Sequence, residues 1–132
     1  MSLADNYKHV LNGIHNSKVT LVAVSKTHPA EKIKELYDAG CREFGENKVQ
    51  EMESKAQLLP KDINWHMIGH LQTNKVKYIA GFVYLVHSVD SLKLLAEINK
   101  QAQKHNRVIH CLLEMFIANE ETKFGLSEEE AI

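Results

Sequence analysis

Val19-Thr20-Leu21-Val22-Ala23-Val24-Ser25-Lys26 is the stretch on which the fold turns. It is apolar except at Thr20 and Ser25, and rich in β-branched residues, until Lys26 ends it. Such a run reads as a strand buried on both faces, the kind found in parallel sheets. Lys26 then stands at the carboxyl end of that strand, where α/β proteins bind their ligands. An amine there can be desolvated, lose its proton more easily and attack a carbonyl. The plainer reading of the same residue is a lysine that snorkels to solvent.

Upstream, Ser2 and Asp5 form a capping box, and Leu3, Tyr7, Val10 and Ile14 recur at helical spacing, which predicts a helix over 3–16. Downstream, Pro29 suits a first helical turn. The apolar face of that helix is Ile33, Leu36 and Tyr37, and Gly40 stops it. Cys41–Phe44 reads as a second strand. Gly45-Glu46-Asn47 then turns into a helix with Val49, Met52, Ala56 and Leu59 on one face, ended by Pro60. Asn64–Ile68 is the third strand, Thr73–Ala80 a short helix stopped by Gly81, and Phe82–Val86 the fourth strand. Asp90 caps a helix whose face carries Leu92, Leu95, Ala96 and Ala102, and Val108–Phe116 is the fifth strand. This β-α alternation with short connections implies α/β architecture, parallel strands and right-handed crossovers.

The chain has 132 residues, and nothing resembling a linker interrupts it, so 1–132 reads as a single domain. Hydrophobic residues make up 44% and charged residues 25%, as in globular proteins at large. The formal net charge of -1 gives no electrostatic argument for nucleic acid or an anionic membrane. No stretch is long and apolar enough to span a bilayer, and the first residues carry no signal-peptide pattern. Cys41 and Cys111 have no paired spacing and read as buried thiols of a reducing compartment, hence a cytoplasmic protein. Near the end, Ser127 and Glu130 have the form of another capping box with only Ala131 and Ile132 after it. A helix start followed by one turn reads as a polypeptide cut short. The alternation usually builds a barrel of eight strands, so the expectation is a barrel truncated to about five βα units after an N-terminal helix.

Several segments together resemble one family. They are Val22-Ala23-Val24-Ser25-Lys26-Thr27, Phe44-Gly45-Glu46-Asn47-Lys48-Val49-Gln50-Glu51 and Trp65-His66-Met67-Ile68-Gly69-His70-Leu71-Gln72-Thr73-Asn74-Lys75. His87-Ser88-Val89-Asp90-Ser91 and Glu120-Glu121-Thr122-Lys123-Phe124-Gly125 extend the match. The chain resembles the pyridoxal phosphate homeostasis proteins, the YggS or PLP-binding-protein family, over the first half or slightly more of that family's length. The resemblance implies a (β/α) barrel like the N-terminal domain of alanine racemase. It implies pyridoxal 5'-phosphate (PLP) held as a Schiff base on Lys26, with Asn47 near the cofactor ring and His66 and Ser88 on the inner, upper rim. It implies a carrier that buffers and delivers PLP inside the cell, not an enzyme that turns over a substrate. One departure is Glu114-Met115-Phe116, where the family more often has Gln-Val-Asn. A larger one is the family's late Ser/Met-rich and Gly/Arg segments, which form the phosphate cup and are not in this sequence. Weak, easily exchanged PLP, or none, is therefore the expectation for this chain alone.

Each of these residues also has an ordinary role. Asn47 can simply cap the helix that follows it. His66 and His70 have H-x-x-x-H spacing, but that brings two ligands together only on a helix, so no metal site is expected. His66 and His87 more naturally satisfy polar contacts at strand tops. Glu128-Glu129-Glu130 is a solvated helix start, and Lys123 is surface charge that could also attract the phosphate in transit. The competing functions are an alanine-racemase-like PLP enzyme, a Schiff-base aldolase and an inert fragment without cofactor. The expected partners are PLP and, through open sheet edges at the first and fifth strands, a second copy of the chain.

Overall fold

A computed structural model describes residues 2–115. Its elements are helix α1 (Leu3–Asn12), strand β1 (Ala23–Val24), α2 (Ala30–Asp38), β2 (Glu43–Glu46), α3 (Val49–Leu58) and β3 (Asn64–Met67). A 3-10 turn at Thr73–Lys75 leads into α4 (Val76–Ile79), followed by β4 (Val83–Val89), α5 (Leu92–Lys104) and β5 (His110–Leu113). The five strands pair in sequential order and all are parallel. The registers run level through Val24, Gly45, His66, Leu85 and His110. Irregularities in register lie between Trp65 and His66 and between Val86 and Val89. The α/β barrel architecture expected from the sequence is thus present as a consecutive series of βα units.

The core lies between the sheet and its helices. Phe44, Trp65, Met67, Val83, Val86 and Val89 supply the strand side, and Ile33, Met52, Ile79, Leu94 and Ile98 the helix side. The anticipated face of α3 is correct: Val49, Met52, Ala56 and Leu59 are all buried. Gly40 follows α2 with φ 108, a left-handed conformation that glycine adopts without penalty.

Four expectations need correction. The first strand is not buried on both faces: its ladder is confined to Ala23–Val24, and Val19 and Val24 are each 53% exposed. β1 hydrogen-bonds only to β2 among the described residues, so its other edge is unpaired there. The N-terminal helix keeps its Ser2–Asp5 capping box but ends at Asn12, ahead of Gly13. The cap of α5 is Ser91, whose Oγ accepts from the Leu94 amide, whereas Asp90 turns to His70 at 3.1 Å. The buried face of α5 is Leu94, Ile98, Gln101 and Ala102, and Leu92 is exposed. Finally, Cys41 is buried but Cys111 only partly so. Phe116, Lys123 and the Ser127–Glu130 box lie outside the described residues.

Candidate functional site

The carboxyl ends of the parallel strands form one rim, and all four residues singled out from the sequence stand on it. Lys26 is two positions beyond β1, Asn47 one beyond β2, His66 one before the end of β3 and Ser88 one before the end of β4. Side chains alternate along a strand. Ala23 packs on the core and Ser25 is buried, so Val24 and Lys26 point away from the helices. Gly45 shares that inner face, because a Cβ there would meet Ile68 at 3.1 Å and Val22 at 3.3 Å. Lys26 is exposed among the described residues. Asn47 is exposed and Ser88 half-buried. No hydrogen bond joins Lys26 to Asn47, His66 or Ser88 among the described residues; they share a rim, not a bonded cluster.

Asn47 is held by shape. A Cβ on Gly69 would lie 1.9 Å from Asn47 Oδ1 and 2.8 Å from its carbonyl oxygen, so the loop after β3 closes on Asn47 only because residue 69 is glycine. His66 is buried on β3. Its Nδ1 lies 2.9 Å from His87 Nε2 and its Nε2 3.2 Å from Glu43 Oε1. The sequence reading gave His66 a polar contact at the strand top, and this is it. Burial first, and then the positive charge His66 can carry, hold the His87 imidazole below its ordinary pKa.

Sequence reasoning missed a second cluster, on the other side of the Lys26 backbone. Lys55 of α3 is almost wholly buried, and Glu46 at the end of β2 is completely so. Lys55 Nζ donates to Glu46 Oε2 at 2.9 Å, to Glu51 Oε1 at 3.0 Å and to the Ser25 carbonyl at 2.8 Å. Glu46 Oε2 also takes the Ser25 hydroxyl, and Glu51 Oε1 takes the Thr27 amide at 2.6 Å. Burial raises the Glu46 carboxyl pKa, while the Thr27 amide and its neighbours lower that of Glu51 to about 2. The signal in the sequence was a lysine on the apolar stripe of α3, three residues after Met52, with Glu51 four before it.

Cavity volume does not mark the rim. A recess of about 560 Å³ lies at the opposite end of β3 and β4, against Lys61, Asn64, Trp65 and Arg107, whereas the recess beside Asn47 and His70 holds about 220 Å³. The chemistry of the strand ends is the stronger argument, since parallel sheets bind ligands there. Among the described residues no group of three or more metal-ligating side chains converges, and no helix is long and apolar enough to cross a membrane.

A sheet of sequential parallel strands with helices on one face, carrying a lysine at the carboxyl end of the first, is an α/β protein of the barrel type with its functional groups on the carboxyl rim. The chain belongs to the alanine racemase N-terminal-domain family, whose description matches residues 1–132. Curated relatives are named pyridoxal phosphate homeostasis protein. That of Aquifex aeolicus is 48% identical over 110 residues, covering 83% of this chain and 48% of the relative. That of Vibrio alginolyticus is 34% identical over 143 residues, covering 98% and 61%. The chain therefore spans about half the length of the curated relatives it matches. PipY of Synechococcus elongatus PCC7942 superposes with a TM-score of 0.87 without PLP (35% identity, 95% of this chain and 59% of PipY). With PLP bound it superposes at 0.83 (32% identity, 98% and 60%). Alanine racemase of Bartonella henselae shares the fold, at a TM-score of 0.71 and 19% identity. The resemblance to pyridoxal phosphate homeostasis proteins read from the sequence is borne out.

Proposed function

We propose that this chain supplies the lysine-bearing part of a PLP-binding protein of cofactor homeostasis, and that PLP is held as a Schiff base on Lys26 Nζ. The observation that carries this reading is the placement of Lys26: an exposed amine at the carboxyl end of the first parallel strand, its neighbours Ser25 and Thr27 both tied to α3. A solved relative of the same fold, PipY, holds PLP, and the curated relatives are named for PLP homeostasis. The residues fit the group. Lys26 offers the nucleophile, Asn47 a polar side chain kept at the rim by Gly69, and His66 and Ser88 donors or acceptors on the strands beyond. PLP itself supplies an aldehyde and a conjugated ring.

A carrier is favoured over an enzyme in this reading, and the support for it is that the curated relatives are named homeostasis proteins. The test is reductive trapping. The chain is mixed with PLP, reduced with borohydride and mapped by peptide mass spectrometry. The expected result is a pyridoxyl group on Lys26, lost in Lys26→Ala, with no interconversion of D- and L-alanine. A pyridoxyl group on another residue of the wild-type chain, or on none even at saturating PLP, overturns the reading. Racemase activity replaces the carrier with an enzyme.

A further inference from the structure

We propose that Glu51 and Lys55 are positioning residues for Lys26, acting from inside α3 on the backbone either side of it. This rests on the reading of Lys26 as the cofactor-bearing amine. Among the described residues no hydrogen bond or ion pair fixes the Lys26 side chain itself, so its placement depends on its backbone.

That backbone is tied down on both sides. Ser25 donates its amide to the Gly45 carbonyl at 2.9 Å, gives its carbonyl to Lys55 Nζ and its hydroxyl to Glu46. Thr27 gives its amide to Glu51 Oε1. Thr27 also has φ 67, a left-handed conformation that a β-branched residue adopts only when its surroundings impose it. The hydrogen bond that the Thr27 amide donates to Glu51 is such an imposition, one residue after Lys26. Lys55 has three N–H donors and three acceptors, so its ammonium is fully used. A buried ion pair is a poor source of stability, because desolvating the charges offsets their attraction. Apolar side chains of the same size would fill this space as well. What they would not do is reach the Ser25 carbonyl and orient the carboxylate that receives Thr27. The cluster therefore does something packing alone does not: it sets the direction in which residue 26 leaves the sheet.

The test separates hydrogen bonding from charge. Glu51→Gln keeps a carbonyl oxygen for the Thr27 amide, and Glu51→Ala removes it. The double change Glu46→Gln with Lys55→Met keeps the volume, leaves no unpaired buried charge and removes the grip on Ser25. All three are checked for folding by circular dichroism. Two quantities are then read: amide hydrogen exchange at Thr27, and the rate of borohydride-trapped pyridoxyl labelling of Lys26. Glu51→Ala is expected to exchange the Thr27 amide and to lose labelling rate by about tenfold or more, the scale that misplacing a reacting group by a fraction of an ångström produces. Glu51→Gln stays near wild type in both. The double variant keeps Thr27 protection within a few fold but labels Lys26 about tenfold more slowly. A folded Glu51→Ala protein that labels at the wild-type rate overturns the proposal, and so does Glu51→Gln falling as far as Glu51→Ala. Should wild type itself take no PLP on Lys26, the functional reading fails, and Thr27 exchange in Glu51→Ala still judges the clamp by itself.

Discussion

Nδ1 of His66 lies 2.9 Å from Nε2 of His87, so one ring must donate to the other. Glu43 decides which. Its carboxylate already accepts from Asn64 Nδ2 at 2.6 Å and takes a second donor from His66 Nε2 at 3.2 Å. Neutral His66 therefore carries its proton on Nε2, its Nδ1 accepts from His87 Nε2–H, and His87 Nδ1 is left as a bare acceptor. Nitrogen-15 NMR at neutral pH is expected to show both rings as Nε2–H tautomers. A His66 proton on Nδ1 overturns the assignment.

The same pair gives a pH dependence. The His87 pKa is lowered in the folded state, so folding disfavours its protonation. A depressed group contributes stability that is present above its unfolded value, near 6.5, and is lost as pH falls through the folded value. Urea unfolding between pH 7.5 and 5.5 should show wild type losing stability on acidification, and His87→Gln losing less of it. Parallel curves for the two proteins would remove His87 from the account.

Gly69→Ala tests how Asn47 is placed. The new methyl group would overlap Asn47 Oδ1 and also approach its carbonyl oxygen, so rotating the Asn47 side chain does not relieve the clash and the loop must move. A cost of about 1–3 kcal/mol is expected from overpacking at this contact. Denaturant unfolding measures it, and a variant as stable as wild type shows that the loop yields freely.

The two edges of the sheet bear on assembly. Among the described residues β1 and β5 each pair on one side only, and Val24, Val108 and Leu112 expose large apolar side chains beside them. Unpaired parallel edges with such residues invite association. Analytical ultracentrifugation of the 132-residue chain is expected to show mass increasing with concentration, and Val24→Lys with Leu112→Lys to reduce it. A wild-type chain that stays monomeric at high concentration contradicts this.

What the sequence made legible follows from which interactions are local. Helices were found because their apolar stripes and stop signals lie within a turn or two: Val49, Met52, Ala56 and Leu59 needed no knowledge of the rest of the chain. Asp90 and Ser91 show the limit. Both suit an N-cap, and the choice is made by His70, twenty residues away in sequence, which takes Asp90. β1 was read too long because Val19–Val22 have strand-like composition but no ladder partner among the described residues. At the site, Lys26 was legible from its place at a strand end. Glu46, Glu51 and Lys55 were not, because a lysine inside an apolar stripe looks like a surface residue until two strands and a helix converge on its ammonium.

Glu51 closes the argument through acid. Its carboxyl is lowered to about 2, against 4.5 for an unperturbed glutamate, because the Thr27 amide first, and then Glu46 and Lys55, favour the carboxylate. A depressed carboxyl contributes stability that is present above about 4.5 and is lost as pH falls toward about 2. Glu46 works in the opposite sense: its pKa is raised by burial, so its contribution diminishes as pH rises above 4.5. The two are separable by window. Glu51→Gln removes the acid limb, so wild type should lose on the order of 2 kcal/mol relative to that variant between pH 4.5 and 2. Chemical denaturation across this range measures the difference. If the two proteins lose stability in parallel, Glu51 is not the carboxylate that the Thr27 amide and Lys55 hold ionised.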